Sequence, residues 1–133
     1  MRTPLPLLAL FAAVGAEAQE PVVFVRDVWP ILVHNCVACH STKARYANLQ
    51  LDSPARILQG GDSALAVVPG APEKSELWRR ISLAPDALDF MPRERKPLRA
   101  EERERIRRWI AEGAQFGAWT GMAAGAPPAG ETQ

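Results

Sequence analysis

Residues 36–40 read Cys36-Val37-Ala38-Cys39-His40, and they hold both cysteines of a 133-residue chain. Two thiols and an imidazole within five positions leave three chemistries, each needing a different fold around the segment. A redox dithiol sits at a helix N-terminus after a strand, where the helix dipole lowers the first thiol's pKa. A structural zinc ion needs four separated ligands, and the only other histidine, His34, lies on the same short segment. A covalently tethered haem uses every residue of the motif. The two thiols add to the two vinyl groups on one porphyrin edge, and the histidine that follows lies under the iron.

The residues before the motif favour the third chemistry. Asp27 is suited to an N-cap, Pro30 falls in the first turn where a missing N–H costs nothing, and Val28, Ile31, Leu32 and Asn35-Cys36 recur at helical spacing. A helix, with no strand ahead of it, therefore delivers the first cysteine. The opening stretch adds a compartment. Arg2 supplies a positive start, Leu5 to Val14 an apolar run, and Ala16-Glu17-Ala18 a small-x-small cleavage pattern, so residues 1–18 read as a signal peptide cut after Ala18. That run is shorter than the roughly 20 residues a bilayer demands, and no stable membrane span is expected after cleavage. Periplasmic or other export follows as the expectation. Thiols there oxidise unless something occupies them, and thioether attachment occupies both.

The remaining chain suits one small all-α domain, set at residues 22–116, with a flexible Gly/Ala/Pro-rich tail at 117–133. Ser53-Pro54 opens a short helix, "PARILQ", which Gly60-Gly61 stops. After the turn-forming "VVPGAP", the stretch "EKSELWRRIS" places Leu77, Trp78 and Ile81 on one helical face. Prolines 85, 92 and 97 forbid regular structure over most of the stretch to Leu98. The last helix has Glu101 and Glu102 at its start, Arg107 and Arg108 late, an Ile106/Trp109/Ile110 stripe, and Gly113 to end it.

Haem iron held by His40 needs a ligand on its other face. His34 is too close in sequence to reach that face, and Met122 falls in the tail expected to be mobile. Met91 lies 51 residues beyond His40 in the proline-framed loop Phe90-Met91-Pro92, and it is the expected second ligand. Ile31, Leu32, Leu77, Trp78, Ile81 and Phe90 are the expected apolar surround.

Three stretches together carry a family resemblance: "DVWPILVHNCVACHS", "LQLDSPARILQGGDSALAVVPGAPEKSELWRRI" and "FMPRERKPLRAEERERIRRWIAEGAQF". They resemble the planctomycete-type domain of class I c-type cytochromes, from about Phe24 to Phe116. The resemblance implies a small class I cytochrome c fold, about four helices around one covalently bound haem c. It also implies His40 and Met91 as axial iron ligands and a role as an electron carrier rather than an enzyme. Two positions depart from the pattern: Arg93 replaces the second proline of a Met-Pro-Pro loop, and Arg99 replaces the Thr or Ser that opens the last helix.

Formal net charge is +1, with no long single-sign block, and no nucleic-acid partner is expected. From Arg93 to Arg108 the chain nevertheless carries eight basic residues against four acids. Such a stretch suits docking of an acidic redox partner near an exposed haem edge; oligomeric state is not legible. A second class stays open at this stage, a haem-based sensor or ligand-binding module in which Met91 is displaceable.

Overall fold

The prolines and glycines of the sequence cut the chain into short helices, and the packing follows from where each cut falls. The computed structural model describes residue 15 and residues 18–122. Nearly all of the segment read as a signal peptide, and residues 123–133 of the tail, lie outside the described residues. A single π-helical turn, Phe24–Val28, runs into α1, Trp29–Asn35. Then come α2, Pro54–Gln59; a 3-10 turn, Pro72–Lys74; α3, Glu76–Ser82; and α4, Ala100–Ala111. No strand forms among the described residues; the one bridge pairs His40 with Arg45. The fold is all-α.

The entry into α1 differs from expectation. Asp27 does not cap the helix: its carboxylate accepts the Val23 N–H at 2.8 Å and pairs with Arg26 at 2.8 Å. That bond reaches back four residues and holds the π turn, so regular helix starts only at Trp29. At the other end, α4 is entered through Arg99, which has no acceptor to cap with. Glu102 compensates by accepting the Arg99 backbone N–H at 2.9 Å. Its exit is a Schellman turn, with Gly113 N–H donating to Ile110 O at 3.0 Å and Ala114 N–H to Trp109 O at 2.9 Å.

Val28 and Leu32 meet Ile57, Ile81, Ile106, Trp109 and Ile110 in a core where each is at most 2% exposed. The π turn packs on both α1 and α4, and α3 packs on α4. Phe24 anchors that junction, with ring centroids 5.0 Å from Trp109, 5.0 Å from Phe116 and 4.8 Å from Trp119. Residues 117–122 thus correct the expectation of a mobile tail from Gly117 onward. The Trp119 ring lies 4.7 Å from that of Trp29, tilted by 43°, and the Met122 N–H donates to Asp52 O at 2.8 Å. Gly121 lets the strap lie this close: with φ +115°, it places the backbone where a Cβ would sit 2.8 Å from the Ser53 Cβ.

Candidate functional site: a haem-sized cavity behind the CVACH turn

α1 stops at Asn35, one residue before the motif, because the chain then tightens into turns. Cys39 and His40 both donate backbone N–H to Cys36 O, at 3.1 and 3.0 Å. This single turn brings Cys36, Cys39 and His40 onto one wall of a cavity of about 560 Å³. Leu77 and Ile81 of α3 form another wall, and Met91 enters from the proline-framed loop, with its backbone N–H held by Arg80 O at 3.3 Å.

The segment after the motif fixes the imidazole. Leu51 N–H donates to His40 O at 2.9 Å and Tyr46 N–H to Cys39 O at 3.2 Å, folding residues 41–51 back over the turn. His40 Nδ1 lies 3.1 Å from Tyr46 O. A carbonyl only accepts, so Nδ1 carries the proton and Nε2 keeps its lone pair free for a metal. Burial lowers the His40 pKa below its usual value, the Tyr46 and Leu49 carbonyls oppose this, and the Arg80 charge adds to it. The net direction favours the neutral imidazole that ligation requires.

Half-buried Cys36 has its thiol pushed up to about 12 by loss of solvation, with Arg95 opposing. A thiol so far from ionisation is a poor redox nucleophile, which counts against Cys36 as the attacking thiol of a dithiol centre. Glu76 also reaches the cavity, and its carboxylate falls to about 2 because Arg79 and Arg80 hydrogen-bond it.

Six expected site residues line this cavity: Cys36, Cys39, His40, Met91, Leu77 and Ile81. Four do not. Ile31 and Leu32 face the helical core, Trp78 is half-buried against that core, and Phe90 is buried inside its own loop at 7% exposure. The reason is rotational. Ile31 and Leu32 are turned into the buried core cluster, on a helix whose packing partner is the π turn, and so they do not meet the cavity. The sequence reading also missed lining residues. Leu49, Leu51 and Ala66 come from loops with no periodicity to mark them. Tyr46 acts through its backbone carbonyl, which carries no side-chain signature. Arg80 was accessible to sequence reasoning, since Glu76 and Arg80 stand one helical turn apart and pair at 2.7 Å.

The donor set fits haem c. Two cysteines side by side on one wall, a neutral imidazole with a free Nε2, a thioether and apolar walls are what that group needs, and the volume lies within the range of cofactor pockets. The family model for Planctomycete cytochrome C matches residues 36–94, from the first cysteine to just past Met91. The chain carries a planctomycete-type cytochrome c domain. That family implies covalently bound haem c for the matched domain. No curated protein sequence matches the cytochrome. Among solved structures, Kuenenia stuttgartiensis Hydrazine Synthase is similar over 77% of the cytochrome's chain at 28% identity, with a TM-score of 0.44. The cytochrome spans 17% of that chain's length. No helix among the described residues is long and apolar enough to cross a membrane.

Proposed function

We propose that this cytochrome is an exported electron carrier, tethering one haem through Cys36 and Cys39 and ligating its iron with His40 and Met91. The observation that carries the reading is the meeting of these four side chains at one cavity, although Met91 is 51 residues from His40 in sequence. The group supplies a one-electron couple, and a His/Met pair favours its reduced state relative to harder ligands. The protein's part is positional. The Tyr46 carbonyl orients the imidazole, Leu49, Leu51, Leu77 and Ile81 exclude water, and the exposed side of Cys39 leaves one edge open to a partner.

Were His40 and Met91 both to hold the iron, no position on it would be left for substrate, which supports a carrier over an enzyme. The basic stretch suits docking in a narrower form than its composition suggests. Arg99, Arg107 and Arg108 are paired with Glu102, Glu104 and Glu112. Arg93 and Arg95 line the cavity together with Glu94 and beside exposed Lys96, and Arg103 and Arg105 of α4 also enter no described ion pair, so the charge left for an acidic partner is shared between the cavity rim and α4.

The test is Met91→Ala in protein matured with covalent haem. Loss of the sulfur-to-iron charge-transfer band and new binding of imidazole or CO is the expected result. A variant spectrum identical to the parent's would remove Met91 from the iron, and absence of covalent haem from the parent would overturn the whole reading.

A further inference from the structure

The cavity has a roof that is tied down at both ends. At one end the Met91 N–H donates to Arg80 O of α3 at 3.3 Å. At the other, Arg95 reaches across to α1 and its Nη1 donates to His34 O at 2.9 Å, a bond between residues 61 positions apart. The His34 carbonyl belongs to the last turn of α1, where carbonyls run out of intrahelical partners. Cys36 and Val37 N–H both go to Leu32 O, and Cys39 and His40 N–H go to Cys36 O. His34 O is therefore passed over by the backbone of its own turn, and a cation at the negative end of the helix takes it. Between the two ties, Arg93, where the resemblance leads one to expect proline, instead donates to Leu88 O at 2.6 Å inside the loop.

We propose that Arg95 is a positioning residue that latches the Met91 loop to the C-terminal end of α1, setting how readily an outside ligand displaces Met91. The inference rests on Met91 being a ligand. The helix that Arg95 grips leads directly into the cysteine turn, so the latch joins the two walls from which His40 and Met91 approach. Opening the loop requires breaking this bond and exposing the His34 carbonyl to water. The bond lies at the surface, so its net worth is modest, and its loss is a change of about threefold to tenfold in the open population. No other side chain of residues 91–96 makes a described hydrogen bond outside the loop.

The experiment titrates imidazole into the oxidised holoprotein and follows the sulfur-to-iron band for the parent, Arg95→Met, Arg95→Lys, Lys96→Met and Met91→Ala. Arg95→Met is expected to bind imidazole about threefold to tenfold more tightly. Arg95→Lys, which keeps a donor and the charge, recovers most of the parent's resistance. Lys96→Met, which removes the same charge one residue along but leaves the bond, stays within about twofold. Should Arg95→Met fail to mature, Arg95→Gln, too short to reach His34 O, carries the same expectation. An affinity for Arg95→Met or Arg95→Gln within twofold of the parent overturns the latch. So does an equal effect of Lys96→Met, because charge alone would then suffice. The ligand reading fails separately, if Met91→Ala binds imidazole no better than the parent.

Discussion

Trp119→Ala should cost this small domain a large part of its stability, although Trp119 lies beyond the segment that matches the family. Its ring is in contact range of three others, with centroids 4.7 Å from Trp29, 4.8 Å from Phe24 and 6.0 Å from Phe116. It is partly rather than fully buried, so about 150 Å² of apolar surface leaves water with it, at about 25 cal/mol per Å². The product, about 4 kcal/mol, falls to about 3 kcal/mol because the unfolded chain already hides part of that surface. With a urea dependence of about 2 kcal/mol per M, the midpoint should drop by about 1.5 M. The assay is urea unfolding of the holoprotein by circular dichroism, with Trp119→Phe as the variant that keeps most of the packing. A shift below about 0.3 M in Trp119→Ala would mean that residues 117–122 do not hold the Phe24 junction closed.

Gly60→Ala should destabilise by about 2–3 kcal/mol and lower haem incorporation, measured as covalent haem per chain. Its φ is +73° and a Cβ there would sit 2.6 Å from Ala64 O, in the loop that lines the cavity. Glu76 gives a pH signature. Its folded pKa, about 2 against an ordinary 4.5, is depressed, so the stability it adds is present above about pH 5 and is lost as pH falls through about 2. Glu76→Gln should flatten the urea midpoint against pH across that window, and parallel curves for variant and parent would sink the assignment. Reduction of the holoprotein by an acidic protein donor should slow about threefold to tenfold between 10 and 150 mM salt, as the screening length shrinks from about 30 to about 8 Å. Rates indifferent to salt would remove the rim of Arg93, Arg95 and Lys96 from docking.

The short helices were readable because their ends are chemical. Ser53-Pro54 and Gly60-Gly61 bracket α2, and Gly113 closes α4, as backbone rules demand irrespective of the rest of the fold. Arg99 caps α4 no better than its lack of an acceptor implies, and the compensating carboxylate, Glu102, stands three residues on in the helix it protects. Pocket membership was read less well. Ile31 and Leu32 on α1 and Leu77 and Ile81 on α3 have equal claims by periodicity, yet only the α3 pair meets the cavity. Periodicity reports that a face is buried and is silent about what buries it, because a porphyrin and a neighbouring helix present the same kind of apolar surface.

By itself the sequence carried the attachment chemistry that we propose, since CVACH is a local pattern whose residues need only one turn of chain to converge. It also determined the all-α class, through proline and glycine placement and the 3.6-residue stripes. Only the tertiary structure decided that Met91 and His40 share a cavity, that Tyr46 O selects the histidine tautomer, and that Trp119 straps the aromatic junction. It also decided that Arg95 reaches His34 O. Each of these joins separate elements or turns on a backbone carbonyl, and neither long-range distance nor carbonyl direction is written in the identity of any single residue.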